Sequence, residues 1–353
     1  MMPRPQKPAI TLLVPGLFER LAEWRRDYEF TPQSPTLELI AARGAHDHLG
    51  AASFEETTCR LFGLERDADR DLPIAALTYA LDHDGARPEG FCLRADPVYL
   101  EAGIRELILQ PTDVLALSME EANALVETLN AHFGADGLRF EAARPERWYL
   151  HVDQPDKLAT YPISQVVGKD IHPLLPTGRR TTFWHAMLNE LQMVLHQAPL
   201  NQKREARGAV PVNSVWLWGA GEPPGKWRAD WTHVWSDDFI VRSLALATGA
   251  ADRPAPQDAA TWLAELKGGR HLVVVQPLFE PAAMDDLAAW QGALEQLERD
   301  WFQPLLQAVR RRRVARLTVI GSEGCRLSAT RTQLRRFWRR RRSLADVCNP
   351  EAE

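Results

Sequence analysis

Apolar runs alternate with amphipathic segments along this chain, and the alternation lays out most of its elements. Ile10 to Val14 is continuously apolar, the pattern of a strand covered on both faces. In SPTLELIAARG, Pro35 suits a first helical turn, Leu37, Ile40 and Ala41 share one face, and Gly44 stands at a C-cap position. SFEETTCRLFGL (53–64) reads as a helix and FCLRADPVYL (91–100) as a strand. The clearest helix begins at Ser118, which forms a capping box with Glu121. Ala122, Leu125, Val126 and Leu129 make its apolar stripe, and Gly134 and Gly137 close it. GLRFEAARPERWYLHV follows as a hairpin.

Beyond residue 180 the same reading gives a helix (TTFWHAMLNELQMVLHQA), a strand entering a glycine turn (VNSVWLWGAG) and a helix (DDFIVRSLALATGA). A fully apolar strand (HLVVVQPL, 271–278), a long helix (AAWQGALEQLERDWFQPLLQAV) and a last core strand (VARLTVIGSEG) complete it. Helices alternating with buried strands predict an α/β fold with a mostly parallel sheet flanked by helices. Residues 89–165 read as an inserted smaller α+β, lid-like domain, and residues 1–88 with 166–353 as the core. No internal repeat is present.

Composition changes this picture little. The 353 residues, 45% hydrophobic, suffice for a large core. A net charge of -5 argues against a chain that binds nucleic acid over its whole surface. Cys59, Cys92, Cys325 and Cys348 form no CxxC pair, which fits a reducing cytoplasm and offers no sulfur-based metal site. The first apolar run is broken by Pro15 and Gly16, unlike a secretory leader, and no apolar stretch reaches the roughly 18 residues that span a bilayer. The expectation is a soluble cytoplasmic protein without a membrane partner.

Several segments, taken in order, carry a resemblance. SPTLELIAARG is similar to a Thr-Pro-x-Leu-x-x-Leu-Ala-x-x-Gly segment, and FCLRADPVYL, the Ser118–Phe133 helix and WYLHV follow the same order of elements. APLNQKREARGAVPVNSVWLWGAGEPP (198–224) matches Asn-x-x-Arg-x-x-x-Gly-x-x-Pro-x-Asn-x-x-Trp-Leu-x-Gly-x-Gly nearly position by position. These segments resemble the archaeal-type cofactor-independent phosphoglycerate mutases of the alkaline phosphatase superfamily. They also resemble the bacterial RpfE-type regulatory group. The resemblance implies an alkaline-phosphatase-like core with an inserted domain. It also implies two divalent metals, Mn or Zn, and a serine that is transiently phosphorylated. Paired cations clamp the attacking and leaving oxygens of a phosphoryl group and activate a serine that is weak at neutral pH.

The implied ligand positions depart from that pattern. The first strand ends Val14-Pro15-Gly16 with no carboxylate between Pro15 and Gly16, and Glu19 is the nearest acid. Ungapped matching places Phe54 at the nucleophile, with Ser53 beside it. Gln276 to Ala282 and Gly321-Ser322 replace the expected Asp and His ligands, and no histidine follows His271. The leading expectation is therefore a pseudoenzyme: a metal-free, catalytically inactive relative that regulates or binds a small anion. The alternative is an active phosphoryl-transfer isomerase with Ser53 as nucleophile and ligands drawn from Glu19, Glu55, Glu280 and Glu323. A third reading is a protein-interaction module.

The expected ligand is a small phosphorylated or carboxylate metabolite. Arg94, Asn201, Arg204 and Asn213 match the resemblance, and arginine grips such anions with two parallel hydrogen bonds. The alternative for these residues is bracing the turn before Trp216. His185, Asn189, Gln192 and His196 share one helical face, as a pocket wall or as a half-buried polar stripe. His185 and His196 are about 16 Å apart along a helix and cannot share a metal. Trp216, Trp218, Trp227, Trp231 and Trp235 crowd together, the last three at helical spacing, and suggest a core edge or a protein contact. The tail surrounds Phe337 and Trp338 with Arg335, Arg336, Arg339, Arg340, Arg341 and Arg342. Basic residues interleaved with aromatics suit phosphate contact plus stacking, on nucleic acid or anionic lipid, but a solvated end is the leading expectation and nucleic acid is not an expected partner of the acidic chain.

Overall fold

The computed structural model describes residues 7–51, 53–66, 71–339 and 343–344. Arg340, Arg341 and Arg342 of the basic tail lie outside the described residues. The chain divides into two compact units, Met1–Leu64 with Trp227–Glu353, and Glu65–Lys226.

The first unit is built on a seven-stranded sheet. Ala251–Arg253, His233–Trp235, Arg270–Val274, Ala9–Leu13 and Arg316–Ile320 run parallel in that spatial order. Cys325–Thr330 and Ala45–His48 then add on antiparallel. One face is deeply covered: Ile10, Leu12, Val14, Leu317, Val319 and Leu327 pack with Trp290, Trp301 and Phe302. The long helix expected there runs as Leu287–Leu297 and Gln303–Arg310, joined by a π turn at Glu298–Phe302. The wider turn points buried Glu298 at the start of the Pro35–Arg43 helix, where Ser34 Oγ donates at 2.5 Å and the Thr36 N–H at 3.1 Å.

The second unit is larger than the expected 89–165 insertion. Its four-stranded antiparallel sheet runs Ser214–Gly221, Phe91–Val98, Arg147–Val152, Leu138–Arg144. VNSVWLWGAG is thus not a parallel core strand; Trp218 pairs with Arg94 and Ser214 with Val98. The reason is burial. Every residue of Phe91–Val98 is buried, so that strand needs cover on both faces. The Met119–Phe133 and Thr181–Gln197 helices supply Leu125, Leu129, Trp184 and Leu191 to one core. The Ile74–Asp82 helix packs Ala75 and Ala76 against Cys92 and Tyr149.

Two further expectations change. Residues 222–232 form no helix, and Trp235 ends a short strand, so the helical spacing of three tryptophans does not reflect a helix. Cys59 and Cys92 are free and buried, whereas Cys325 is disulfide-bonded, unlike the expected set of separate thiols. Among the described residues, no helix is long and apolar enough to cross a membrane.

Candidate functional site

Open α/β sheets bind ligands at the carboxyl ends of their parallel strands. Here those ends are Val14–Gly16, Val275–Gln276 and Ile320–Glu323. Gly16 sits at φ +81°, and a Cβ on it would lie 2.3 Å from the Leu278 carbonyl oxygen. Its N–H donates to Glu19 Oε1 at 3.0 Å and to Ser322 Oγ at 3.3 Å, and its carbonyl accepts from Trp290 Nε1 at 2.7 Å. The Ser322 hydroxyl also donates to Glu19. The turn after Gly16 therefore brings the Glu19 carboxylate back to the strand end, where the sequence has no acid between Pro15 and Gly16.

Glu323 lies over Gly321, where a Cβ would be 2.7 Å from Oε2. Both its carboxyl oxygens are buried without a hydrogen-bond partner among the described residues. Burial, and then the charge of Glu19, pushes its pKa up to about 8. Folded Glu323 thus keeps its proton to higher pH than the unfolded chain, whose value is 4.5. Its contribution to stability falls as pH rises between those values. Glu323→Gln is expected to raise stability at pH 8–9 by roughly 1–3 kcal/mol and to change it little at pH 5, as read by thermal unfolding across pH.

Ser53 caps the Phe54–Leu61 helix and accepts from the Glu56 N–H at 3.2 Å. That helix is fixed to the same strand end, because Thr57 Oγ1 donates to the Ser322 carbonyl at 2.5 Å. Ser53 is half-buried there. Phe54 is buried, its ring 6.5 Å from that of Phe279. Gln276 is exposed and donates to Asp238 at 3.5 Å. Of the acids considered as ligands, Glu19 and Glu323 interact, Glu55 is buried and adds to the burial that raises the Cys59 pKa, and Glu280 is exposed. No group of three His, Cys, Asp or Glu that could hold a metal occurs among the described residues. One pair of mutually repelling carboxyls without an imidazole does not fit a two-metal centre.

The remaining candidates lie in the second unit. Arg94 is 3% exposed and donates to Asp96 Oδ1 from Nε (3.0 Å) and Nη2 (2.5 Å), over the Trp218 and Tyr149 rings. Asp96 also accepts from Trp218 Nε1 at 2.7 Å, and burial raises its pKa. Asn201 bonds the Leu195 and Val212 carbonyls and the Val212 N–H. Asn213 pairs both ways with the Leu100 backbone. Arg204 holds Glu121 at 2.6 Å and the Val210 and Leu115 carbonyls. His185 meets the Pro176 carbonyl at 2.9 Å, Asn189 is exposed and Gln192 half-buried. In the 198–218 stretch, these side chains brace the turn and strand. Arg204→Ala leaves Glu121 short of its buried partner. It should cost about 3–5 kcal/mol in urea unfolding.

The tryptophans divide between the units, and each indole N–H is engaged: Trp216 with Tyr161 O, Trp218 with Asp96, Trp227 with Phe62 O, Trp231 with Leu61 O, Trp235 with His271. A cavity of about 850 Å³ in the first unit opens on the sheet face carrying Thr11, Thr318 and Ser328, and its walls include neither Ser53 nor Glu19 nor Glu323.

No family model matches the chain. It is 34% identical over 203 residues to the 2,3-bisphosphoglycerate-independent phosphoglycerate mutase of Methanosarcina barkeri, covering 54% of this chain and 49% of the relative. The corresponding Methanosarcina mazei enzyme is 25% identical over 205 residues, at the same 54% and 49% coverage. The likeness is to cofactor-independent phosphoglycerate mutases. This chain spans about half the length of the relatives it matches. A solved Pyrococcus horikoshii structure superposes with a TM-score of 0.55 at 15% identity, over 92% of this chain and 88% of that one. It shows the fold alone, an α/β core of the kind expected above.

These relatives correct the leading functional expectation. The inactive regulatory or anion-binding reading drew on missing ligand positions and on the RpfE-type resemblance. The matched relatives are named as mutases instead, and they favour the phosphoryl-transfer alternative.

Proposed function

We propose that this chain is a phosphoryl-transfer isomerase of the phosphoglycerate mutase kind, working through Ser53 at a non-standard site. The observation that carries the reading is the 34% identity to a named mutase. The placement of the Ser53 hydroxyl at the start of a helix whose Thr57 is bonded to the Ser322 carbonyl supports it. The Ser53 oxygen attacks the phosphorus of a phosphorylated hydroxy acid and releases its proton to solvent water, which returns one to the departing oxygen. The phosphorus–oxygen bond to the substrate breaks, and the departing oxygen takes a proton. Return of the phosphoryl group to the neighbouring hydroxyl reverses each bond change. No step is routed through metal ions, because the residues do not fit them.

The test is formation of 2-phosphoglycerate from 3-phosphoglycerate by the purified full chain, followed by coupling to enolase, with and without added Mn²⁺. Turnover without added metal supports the reading; turnover only with Mn²⁺ would keep the isomerase activity but overturn the metal-free site. Absence of turnover in both overturns it.

A further inference from the structure

Two arginine runs, far apart in sequence, meet on the surface of the first unit. Arg310–Arg313 ends the Gln303–Arg310 helix, and all of these residues are exposed. The second run follows the last sheet strand and includes Arg331, Arg335 and Arg339. They join at Arg331, whose Nε donates to the Arg310 carbonyl at 3.0 Å. Among the described residues, no carboxylate is ion-paired with either run. Arg331 has its pKa lowered, by desolvation first and then by the charges of Arg312 and Arg335.

Two features set this patch apart from an ordinary solvated surface. Phe337 and Trp338 are 78% and 68% exposed beside it, their rings edge to face at 5.4 Å. Arg312 occupies a left-handed backbone position, φ +62°, that closes a helix and suits glycine. A chain that only had to end this helix would gain from glycine there, so the arginine is held against a local steric cost.

We propose that this arginine and aromatic surface binds single-stranded nucleic acid, with guanidinium groups on phosphates and Phe337 and Trp338 stacked on bases. Uncompensated like charge releases counterions when it meets a polyanion, and guanidinium forks fit phosphate oxygens. Two freely exposed rings within such a patch form a stacking platform. A duplex keeps its base faces stacked and cannot use the rings. A membrane surface calls for an amphipathic helix with an apolar stripe. The helix here, Arg331–Leu334, is four residues long and its Leu334 is buried. The chain-wide charge of -5 averages this local surplus away. The proposal does not depend on the phosphoryl-transfer reading.

Fluorescence anisotropy of a labelled single-stranded homopyrimidine, titrated with the full chain at several salt concentrations, tests it. Log affinity should fall with log salt at a slope of about -3, from roughly four or five phosphates neutralised. Phe337→Ala with Trp338→Ala should weaken binding about tenfold or more without shifting Tm, since both rings are exposed. Arg312→Gly should weaken binding several-fold and leave Tm the same or higher. Equal or tighter binding to a duplex or to phosphatidylserine vesicles would overturn the proposal. So would affinity unmoved by loss of both rings, or no binding at low salt.

Discussion

Ser53→Asn is expected to reduce the interconversion of 3- and 2-phosphoglycerate by about 10³-fold or more while leaving the protein folded. Asparagine keeps a side-chain oxygen that can accept from the Glu56 N–H, so the Phe54–Leu61 helix retains its cap. It has no oxygen able to carry a phosphoryl group through turnover. Ser53→Ala should lose activity equally and also cost about 1 kcal/mol of stability, because the cap is removed. The two variants separate chemistry from folding. Activity retained by Ser53→Asn would assign the transfer to another group. Ser322 is poorly placed for that role, because its hydroxyl is already given to Glu19 and meets the Gly16 N–H.

Gly16→Asp should destabilise the chain by roughly 3–5 kcal/mol, although it supplies the carboxylate that the resemblance calls for near this strand end. The backbone there is left-handed, and a Cβ would lie 2.3 Å from the Leu278 carbonyl oxygen, a clash with backbone that no rotamer relieves. Gly16→Ala should cost nearly as much, because the fault lies at Cβ and not in the charge. Urea unfolding of both variants measures this. Wild-type stability in Gly16→Asp would mean that the strand end can accept a ligand-bearing side chain, and the case against a two-metal centre would weaken accordingly.

The fold was legible where burial and period agree. Ile10 to Val14, the capped Ser118 helix and the apolar run after His271 all form as their patterns predict. The domain boundary was less legible. VNSVWLWGAG is as apolar as a parallel core strand, and only its pairing with Phe91–Val98 reveals an antiparallel sheet buried on both faces. Periodicity reports that a strand is covered, not which strand covers it.

The site shows the same division. Ser53 was visible as the hydroxyl beside the expected nucleophile position. Glu19 was visible only as an acid three residues past Gly16, since the turn that returns it to the Gly16 N–H is set by contacts with Ser322, more than 300 residues away. The signature residues Asn201, Arg204 and Asn213 show what the pattern itself hid. A motif with anion-binding chemistry can equally be a set of buried braces, and only their carbonyl and carboxylate partners distinguish the two. The tail was legible as charge, but its meeting with Arg310–Arg313 required the fold.

The phosphoryl-transfer account stands or falls on whether Ser53 carries the group in transit. Incubating the full chain with 3-phosphoglycerate, quenching in acid and fragmenting the peptides by mass spectrometry should find one phosphoryl group on Ser53. That group should be absent from Ser53→Asn and from a substrate-free control. Turnover with no phosphoryl group on Ser53, or a phosphoryl group found on a different residue, would contradict the account.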